Sequence, residues 1–155
     1  MDTPPGPRLR IEPMTPENVE AVAALEKECF SSPWSLDSMV KELSNPIAVY
    51  YTAFENGLLA GYIGMHYIID EGYINNVAVR ESHRRRGVAT LLLKTLLDCG
   101  REKNLCALTL EARASNQAAI ALYKRFGFRQ AGLRKAYYTL PTEDALLMTL
   151  VLHHD

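Results

Sequence analysis

Hydrophobic positions along the chain fall into short runs whose period changes from stretch to stretch. The densest, Val88-Ala89-Thr90-Leu91-Leu92-Leu93, opens at Gly87 and continues a leucine face to about residue 101, the pattern of a helix packed on one side. Ahead of it residues 73–79 are rich in strand formers, and residues 9–14, 47–54 and 58–69 read the same way, with Pro13 ending the first. Glu55-Asn56-Gly57 is a hairpin signal, and Asp70-Glu71-Gly72 and Asn45-Pro46 read as turns. Between the first two strands lie two helices. One is capped at Thr15 with Pro16 in the first helical position, turns Val19, Val22, Ala23 and Leu25 inward and runs out near Cys29. The other follows the break Ser31-Ser32-Pro33-Trp34, is capped by Ser35 and carries Leu36, Met39, Val40 and Leu43. After the leucine helix come a strand over residues 105–112 that ends in a glutamate, Glu111, and a shorter helix. That helix is capped by Ala114-Ser115-Asn116, has Ala119, Leu122, Tyr123 and Phe126 inward and is closed by Gly127. Strands over 128–133 and 145–152 then flank a loop containing Tyr137, Tyr138 and Pro141. The order is strand, two helices, three strands, helix, strand, helix, two strands. Hairpins imply antiparallel pairing, and the strand-helix-strand step across the leucine helix implies a parallel, right-handed crossover. The fold class is α+β, a central mixed sheet with helices on both faces.

Size and charge narrow what such a domain does. A chain of 155 residues buries a full core as a single domain, here residues 8–155 behind a proline-rich leader, residues 1–7, expected to be disordered. A net charge of −1 argues against general nucleic-acid or membrane binding, so the cluster Arg84-Arg85-Arg86 serves a local purpose. Cys29, Cys99 and Cys106 are odd in number and make no Cys-x-x-Cys pair, which points to a reducing, cytoplasmic setting. His66, His83, His153 and His154 lack ligand spacing, so no metal is expected. No stretch has the length of a membrane span, and the start lacks the order of a signal peptide.

The basic turn before Gly87 is where chemistry enters. Amide N–H groups at a helix start have no internal partner and the helix dipole adds about half a positive charge there, so a phosphate or pyrophosphate fits. A glycine keeps no side chain between the anion and the backbone. The same residues read equally as a solvated turn punctuated by glycine.

Further residues turn that into a family pattern. The strand Val77-Ala78-Val79, the turn Arg84-Arg85-Arg86-Gly87-Val88-Ala89, the run Leu110-Glu111-Ala112-Arg113-Ala114-Ser115-Asn116 and the segment Ala121-Leu122-Tyr123-Lys124-Arg125-Phe126-Gly127-Phe128 together resemble the GNAT superfamily of acetyl-CoA-dependent N-acetyltransferases. Within it the chain looks like the RimI type, which acetylates the N-terminal alanine of small-subunit ribosomal protein eighteen. The resemblance extends from Phe30-Ser31-Ser32-Pro33-Trp34-Ser35 to the Tyr137-Tyr138 loop and the Glu143-Asp144-Ala145 entry to the last strand. It implies the GNAT fold, with a mostly antiparallel sheet of about seven strands. It implies acetyl-CoA as co-substrate and a protein N-terminus, that of a ribosomal protein, as partner. Val77, Ala78 and Val79 would bond the pantetheine arm, and Arg85, Arg86, Gly87, Val88, Ala89 and Thr90 would hold the pyrophosphate. Arg84 stands where glutamine is common and Ala89 where glycine is, exchanges that leave backbone N–H binding intact. Glu111 matches the family's proton acceptor and Tyr123 its proton donor, with Asn116 holding the cofactor or orienting Tyr123. The oxyanion would meet a backbone N–H at Val77 or its neighbour. Acceptor specificity would come from a cleft between the Pro33-Trp34 segment and residues 134–138, with Trp34, Arg134, Tyr137 and Tyr138 as substrate-binding residues. Glu42, Glu71 or Glu143 would meet a basic second residue of the peptide.

Read without the family, each of these has an ordinary alternative. Glu111 can be a surface ion pair with Arg113 or Arg134, Tyr123 a core tyrosine, Asn116 a helix cap, and Trp34 and Tyr137 core or rim aromatics. One magnitude favours an N-terminal acceptor. An α-amine has a pKa of ~8 against ~10.4 for lysine, so holding lysine neutral costs roughly 3 kcal/mol more. Two other functions stay open: a GNAT enzyme acting on a small-molecule amine or lysine side chain, and a non-catalytic acetyl-CoA-binding module.

Overall fold

The computed structural model describes residues 9–152. The leader expected over residues 1–7, and His153 and His154, lie outside the described residues. The elements are β1 (Leu9–Pro13), α1 (Val19–Cys29), α2 (Leu36–Glu42), β2 (Ala48–Glu55), β3 (Leu58–Ile68), β4 (Glu71–Val79), α3 (Val88–Glu102), β5 (Ala107–Arg113), α4 (Gln117–Arg125), β6 (Arg129–Tyr138) and β7 (Glu143–Val151). A 3-10 turn, Glu81–His83, separates β4 from α3. Among the described residues the strands form a seven-stranded sheet in the order β1-β2-β3-β4-β5-β7-β6. The β4–β5 pair is parallel, as the α3 crossover requires, and the β1–β2, β5–β7 and β6–β7 pairs are antiparallel. The parallel ladder stops at Ile74 opposite Leu110, before Val77, Ala78 and Val79 are reached. No helix of the described residues is long and apolar enough to cross a membrane.

The chain divides into two compact units, one of residues up to 64 with 76–96 and the other of residues 65–75 with those from 97 onward. In the first, Val22, Leu25, Met39 and Tyr62 are fully buried in a cluster with Met14, Val19, Tyr50, Leu59 and Ala78. Helix α2 has seven residues, too few to persist alone, so it depends on Met39, whose burial contributes about 1.5–3 kcal/mol. In the second unit β5 alternates strictly, with Leu108, Leu110 and Ala112 buried. The same period turns Thr109 and Glu111 to the opposite face, where the Thr109 hydroxyl bonds that of Thr149 on β7 at 3.1 Å.

Four details differ from the sequence expectation, each for a local reason. Helix α1 begins at Val19, because Thr15 lies in a turn closed by Asn18, whose Oδ1 accepts the Thr15 N–H at 2.8 Å. In α2 Met39 is buried as expected, but Leu36 and Val40 are exposed, since a helix of two turns has room for one inward position. Gly72 is inside β4 and not in a turn: a Cβ there would lie 2.5 Å from Leu108 Cδ2 and 2.7 Å from Met65 Sδ. Residues 134–138, expected as a loop, belong to β6, with a register shift against β7 between Arg134 and Tyr138.

Candidate active site

In the first unit the end of β4 leads into a turn of unusual backbone. Arg80 fixes its entry: its N–H donates to the Ala60 carbonyl at 2.7 Å, its Nε to Leu59 O at 2.9 Å, and its guanidinium pairs with both oxygens of Glu28. Arg84 Nε donates to the Val79 carbonyl at 3.2 Å. Arg85 and Gly87 then adopt left-handed φ angles of 63° and 83°. A Cβ at Gly87 would meet nothing within 4 Å, so the requirement for glycine there is conformational. The first α3 hydrogen bond runs from the Leu91 N–H to the Gly87 carbonyl at 3.0 Å. The N–H groups of Val88, Ala89 and Thr90 therefore make no hydrogen bond among the described residues, and the exposed Arg85 guanidinium has no partner among them either. Arg86 is engaged differently. Its Nη2 donates to Glu55 Oε2 at 2.9 Å, while Glu55 Oε1 lies 3.0 Å from Nε2 of the buried His83. The turn thus offers backbone donors and one free cation, a fit for a phosphate or pyrophosphate group.

In the second unit the candidates collect around Glu111. Its side chain is 4% exposed, although it stands on a strand otherwise marked by alternation alone. The Tyr73 hydroxyl donates to it and the Arg134 guanidinium, itself 55% exposed, pairs with it. Tyr137 also faces it: burial first, then the Glu111 charge and a hydrogen bond to it, push that phenol up. Tyr138, whose ring stands edge-on to that of Tyr137 with centroids 5.1 Å apart, is pushed up to about 12 by burial and then by Glu111. Arg113 lies over the Tyr138 ring at 4.5 Å and pairs with Glu143 at 3.3 Å. Glu143 also accepts from the Ser115 N–H at 2.5 Å, and hydrogen bonding from Ser115, its side chain first and then this N–H, holds its carboxyl below the usual range together with Arg113. Glu143, one of the three acids expected to meet a basic peptide residue, is thus already engaged.

Helix α4 supplies the last two candidates. Asn116 is its N-cap, Oδ1 accepting the Ala119 N–H at 3.2 Å, so the ordinary reading of Asn116 is realised whatever else it does. Tyr123 is 7% exposed and packs against Phe128, with ring centroids 5.8 Å apart. Burial, with a smaller contribution from Tyr138, pushes its phenol up to about 12. Its hydroxyl makes no hydrogen bond among the described residues. Tyr138 is thus the electrostatic neighbour of both Glu111 and Tyr123. Trp34, in the first unit, is half-buried against the core, and its backbone N–H donates to Glu26 Oε2 at 3.0 Å.

Four polar side chains escape sequence reading. Tyr73 reads as an ordinary strand tyrosine, and its link to Glu111 spans 38 positions. Glu55 and His83 are buried together, but one belongs to a hairpin and the other to a turn. Glu26, 2% exposed, sits on the helical stripe with Val22 and Leu25, and a charged residue on such a stripe was the available signal.

Comparison with known proteins places the chain in a family. The model of the acetyltransferase (GNAT) family matches residues 19–128. A putative ribosomal protein bS18-alanine N-acetyltransferase of Bacillus subtilis is 37% identical over 94% of this chain and 97% of its own length. The N-alpha-acetyltransferase RimI of Mycobacterium tuberculosis is 33% identical over 95% of this chain and 93% of its own. The crystal structure of the Escherichia coli ribosomal-protein-S18-alanine N-acetyltransferase superposes with a TM-score of 0.87 at 30% identity, covering 95% of this chain and 96% of that one. With a helix start of open N–H groups after β4, a glutamate on β5 and a buried tyrosine on α4, the chain belongs to the GNAT family and is an acetyl-CoA-dependent N-acetyltransferase.

Proposed function

We propose that this enzyme acetylates the α-amine of a protein N-terminus, with the N-terminal alanine of ribosomal protein S18 as its acceptor, the substrate named for its Bacillus subtilis and Escherichia coli relatives. Acetyl-CoA supplies an activated acetyl group when bound. Its pyrophosphate is held by the N–H groups of Val88, Ala89 and Thr90 with Arg85 beside them, and its pantetheine arm by the backbone of Val77, Ala78 and Val79. Glu111 takes the proton that the amine must lose, directly or through water, and Tyr123 gives a proton to the departing sulfur. Cys29 takes no part: burial raises its thiol, whose Sγ is 3.6 Å from the Val79 carbonyl, so transfer is direct and needs no acyl-enzyme.

The observation that carries this reading is a buried carboxylate ringed by Tyr73, Arg134 and Tyr137, in the same unit as a phenol that burial keeps protonated. A Tyr123 phenol near 12 can only donate at neutral pH. Complete transfer to a thiolate of ordinary pKa ~8.5 would be uphill by roughly 5 kcal/mol. The donor therefore acts through a hydrogen bond that strengthens as charge develops on sulfur, in surroundings dry enough to make that sulfur a stronger base as well.

The test is thiol release from acetyl-CoA with a peptide beginning Ala-Arg, set beside a lysine peptide, polyamines and aminoglycosides. Turnover of the Ala-Arg peptide is expected, falling about 100-fold or more in Glu111→Gln and Tyr123→Phe. Full turnover in both variants would remove the roles assigned to them, and turnover of small amines without peptides would replace the acceptor.

A further inference from the structure

Asn76 stands on β4 immediately before Val77, half-buried, with its side-chain amide held one way round. Its Nδ2 donates to Glu26 Oε1 at 3.1 Å and to the Tyr62 hydroxyl at 2.6 Å, and that hydroxyl donates to Glu26 Oε1 at 2.5 Å. Glu26 Oε2 accepts the Trp34 N–H. Every neighbour of this carboxyl group is a donor, so it acts as an acceptor throughout, and the NH2 end of Asn76 must face it. Oδ1 therefore points the other way. It makes no hydrogen bond among the described residues and, unlike Oδ1 of Asn75, it is not sealed from solvent.

Glu26 itself is 2% exposed and pairs with no cation among the described residues. A buried charge held by neutral donors alone is costly, and an apolar residue would fill the same space more cheaply. What the charge adds is orientation and potential. It locks the Asn76 amide and leaves a negative field behind an open carbonyl oxygen, a site suited to the N–H of a primary amine.

We infer that Asn76 Oδ1 binds the acceptor amine, with Glu26 and Tyr62 as positioning residues that keep the oxygen outward. This rests on the acetyl transfer to an α-amine proposed above. The orientation matters for the chemistry. Oδ1 takes an N–H and leaves the nitrogen lone pair free for attack, whereas a flipped amide would donate into that lone pair and block it. Asn76 acts on the acceptor, so the donor's Michaelis constant should not respond to it.

The experiment is a double-mutant cycle on the full-length enzyme, with steady-state kinetics for the Ala-Arg peptide and for acetyl-CoA. Asn76→Ala should lower kcat/KM for the peptide about 10- to 100-fold, the worth of one hydrogen bond to a nitrogen that becomes positively charged as it attacks. Glu26→Gln keeps the shape but carries an NH2 group that lets Asn76 flip, and should cost about 10-fold. The double variant should be no worse than Asn76→Ala within about twofold, because Glu26 acts through Asn76, and the KM for acetyl-CoA should hold within about twofold in all three. Losses that multiply in the double variant, unchanged peptide kinetics, or a rise in the acetyl-CoA KM would each overturn the inference. If Glu26→Gln shows no cooperative thermal transition and so fails to fold, Glu26→Met, which removes the acceptor but keeps the volume, takes its place in the same cycle. If the wild type acetylates another primary amine in place of the peptide, the acceptor reading fails and the cycle is run on that amine. A wild type that acetylates no amine overturns both.

Discussion

Ile69 sits in the turn between β3 and β4 with φ at 57° and 91% of its surface exposed. A β-branched residue in the left-handed region is strained, and here no packing offsets the strain. Ile69→Gly should therefore stabilise the protein by about 0.5–1 kcal/mol, read as an increase of about 1–4 °C in Tm. A lower Tm would show that the side chain has contacts of value. The sequence places the turn one step later, at Asp70-Glu71-Gly72, because glycine is ordinary turn punctuation. Gly72 is needed for a different reason, close packing under Leu108, and composition alone does not separate the two uses. Glu111 shows the same limit. The resemblance marks the residue, and its partner Arg134 was one of two arginines within reach of the ordinary reading. Tyr73 was invisible, since strand register decides which tyrosine meets which carboxylate and register is a property of the folded sheet.

At the scale of elements, α3 and its approach were the most legible part of the chain. A leucine stripe, a glycine and three arginines have one economical arrangement, and the helix starts one residue after the expected glycine. What the sequence could not apportion was the work of the arginines: Arg84 braces Val79, Arg86 is tied to Glu55, and of the three Arg85 has no partner among the described residues. Gly87→Val should raise the KM for acetyl-CoA about tenfold, the equivalent of the ~1–2 kcal/mol needed to hold valine left-handed, while kcat at saturating acetyl-CoA stays the same. A fall in kcat with KM unchanged would contradict the assignment of this turn to donor binding. Strand β6 was less legible because all but two of its residues are exposed or irregularly registered, so it lacks the alternation that identified β5.

For the molecule as a whole, element order and the parallel crossover followed from hydrophobic period and punctuation, which are local, whereas the buried polar networks join residues far apart in the chain. Those networks govern the response to alkali. Burial raises the phenols of Tyr62, Tyr123 and Tyr138 above their ordinary value, the last two to about 12. The folded state then keeps protons that the unfolded chain has lost, so their contribution is complete below pH ~10 and declines as pH rises through the folded values. Urea midpoints should be level from about pH 8 to 9 and fall between about pH 10 and 12; a midpoint unchanged at about pH 11 would contradict this. The buried Glu55 carries a consequence of another kind. It ends β2 at the Asn56-Gly57 hairpin, and its two oxygens hold His83 and Arg86 on the approach to α3. That exposed hairpin tip looks like a harmless place to graft an epitope or attach a dye, but anything that displaces the strand end by one residue also unfastens the turn proposed to hold the donor. Labels belong elsewhere on the surface.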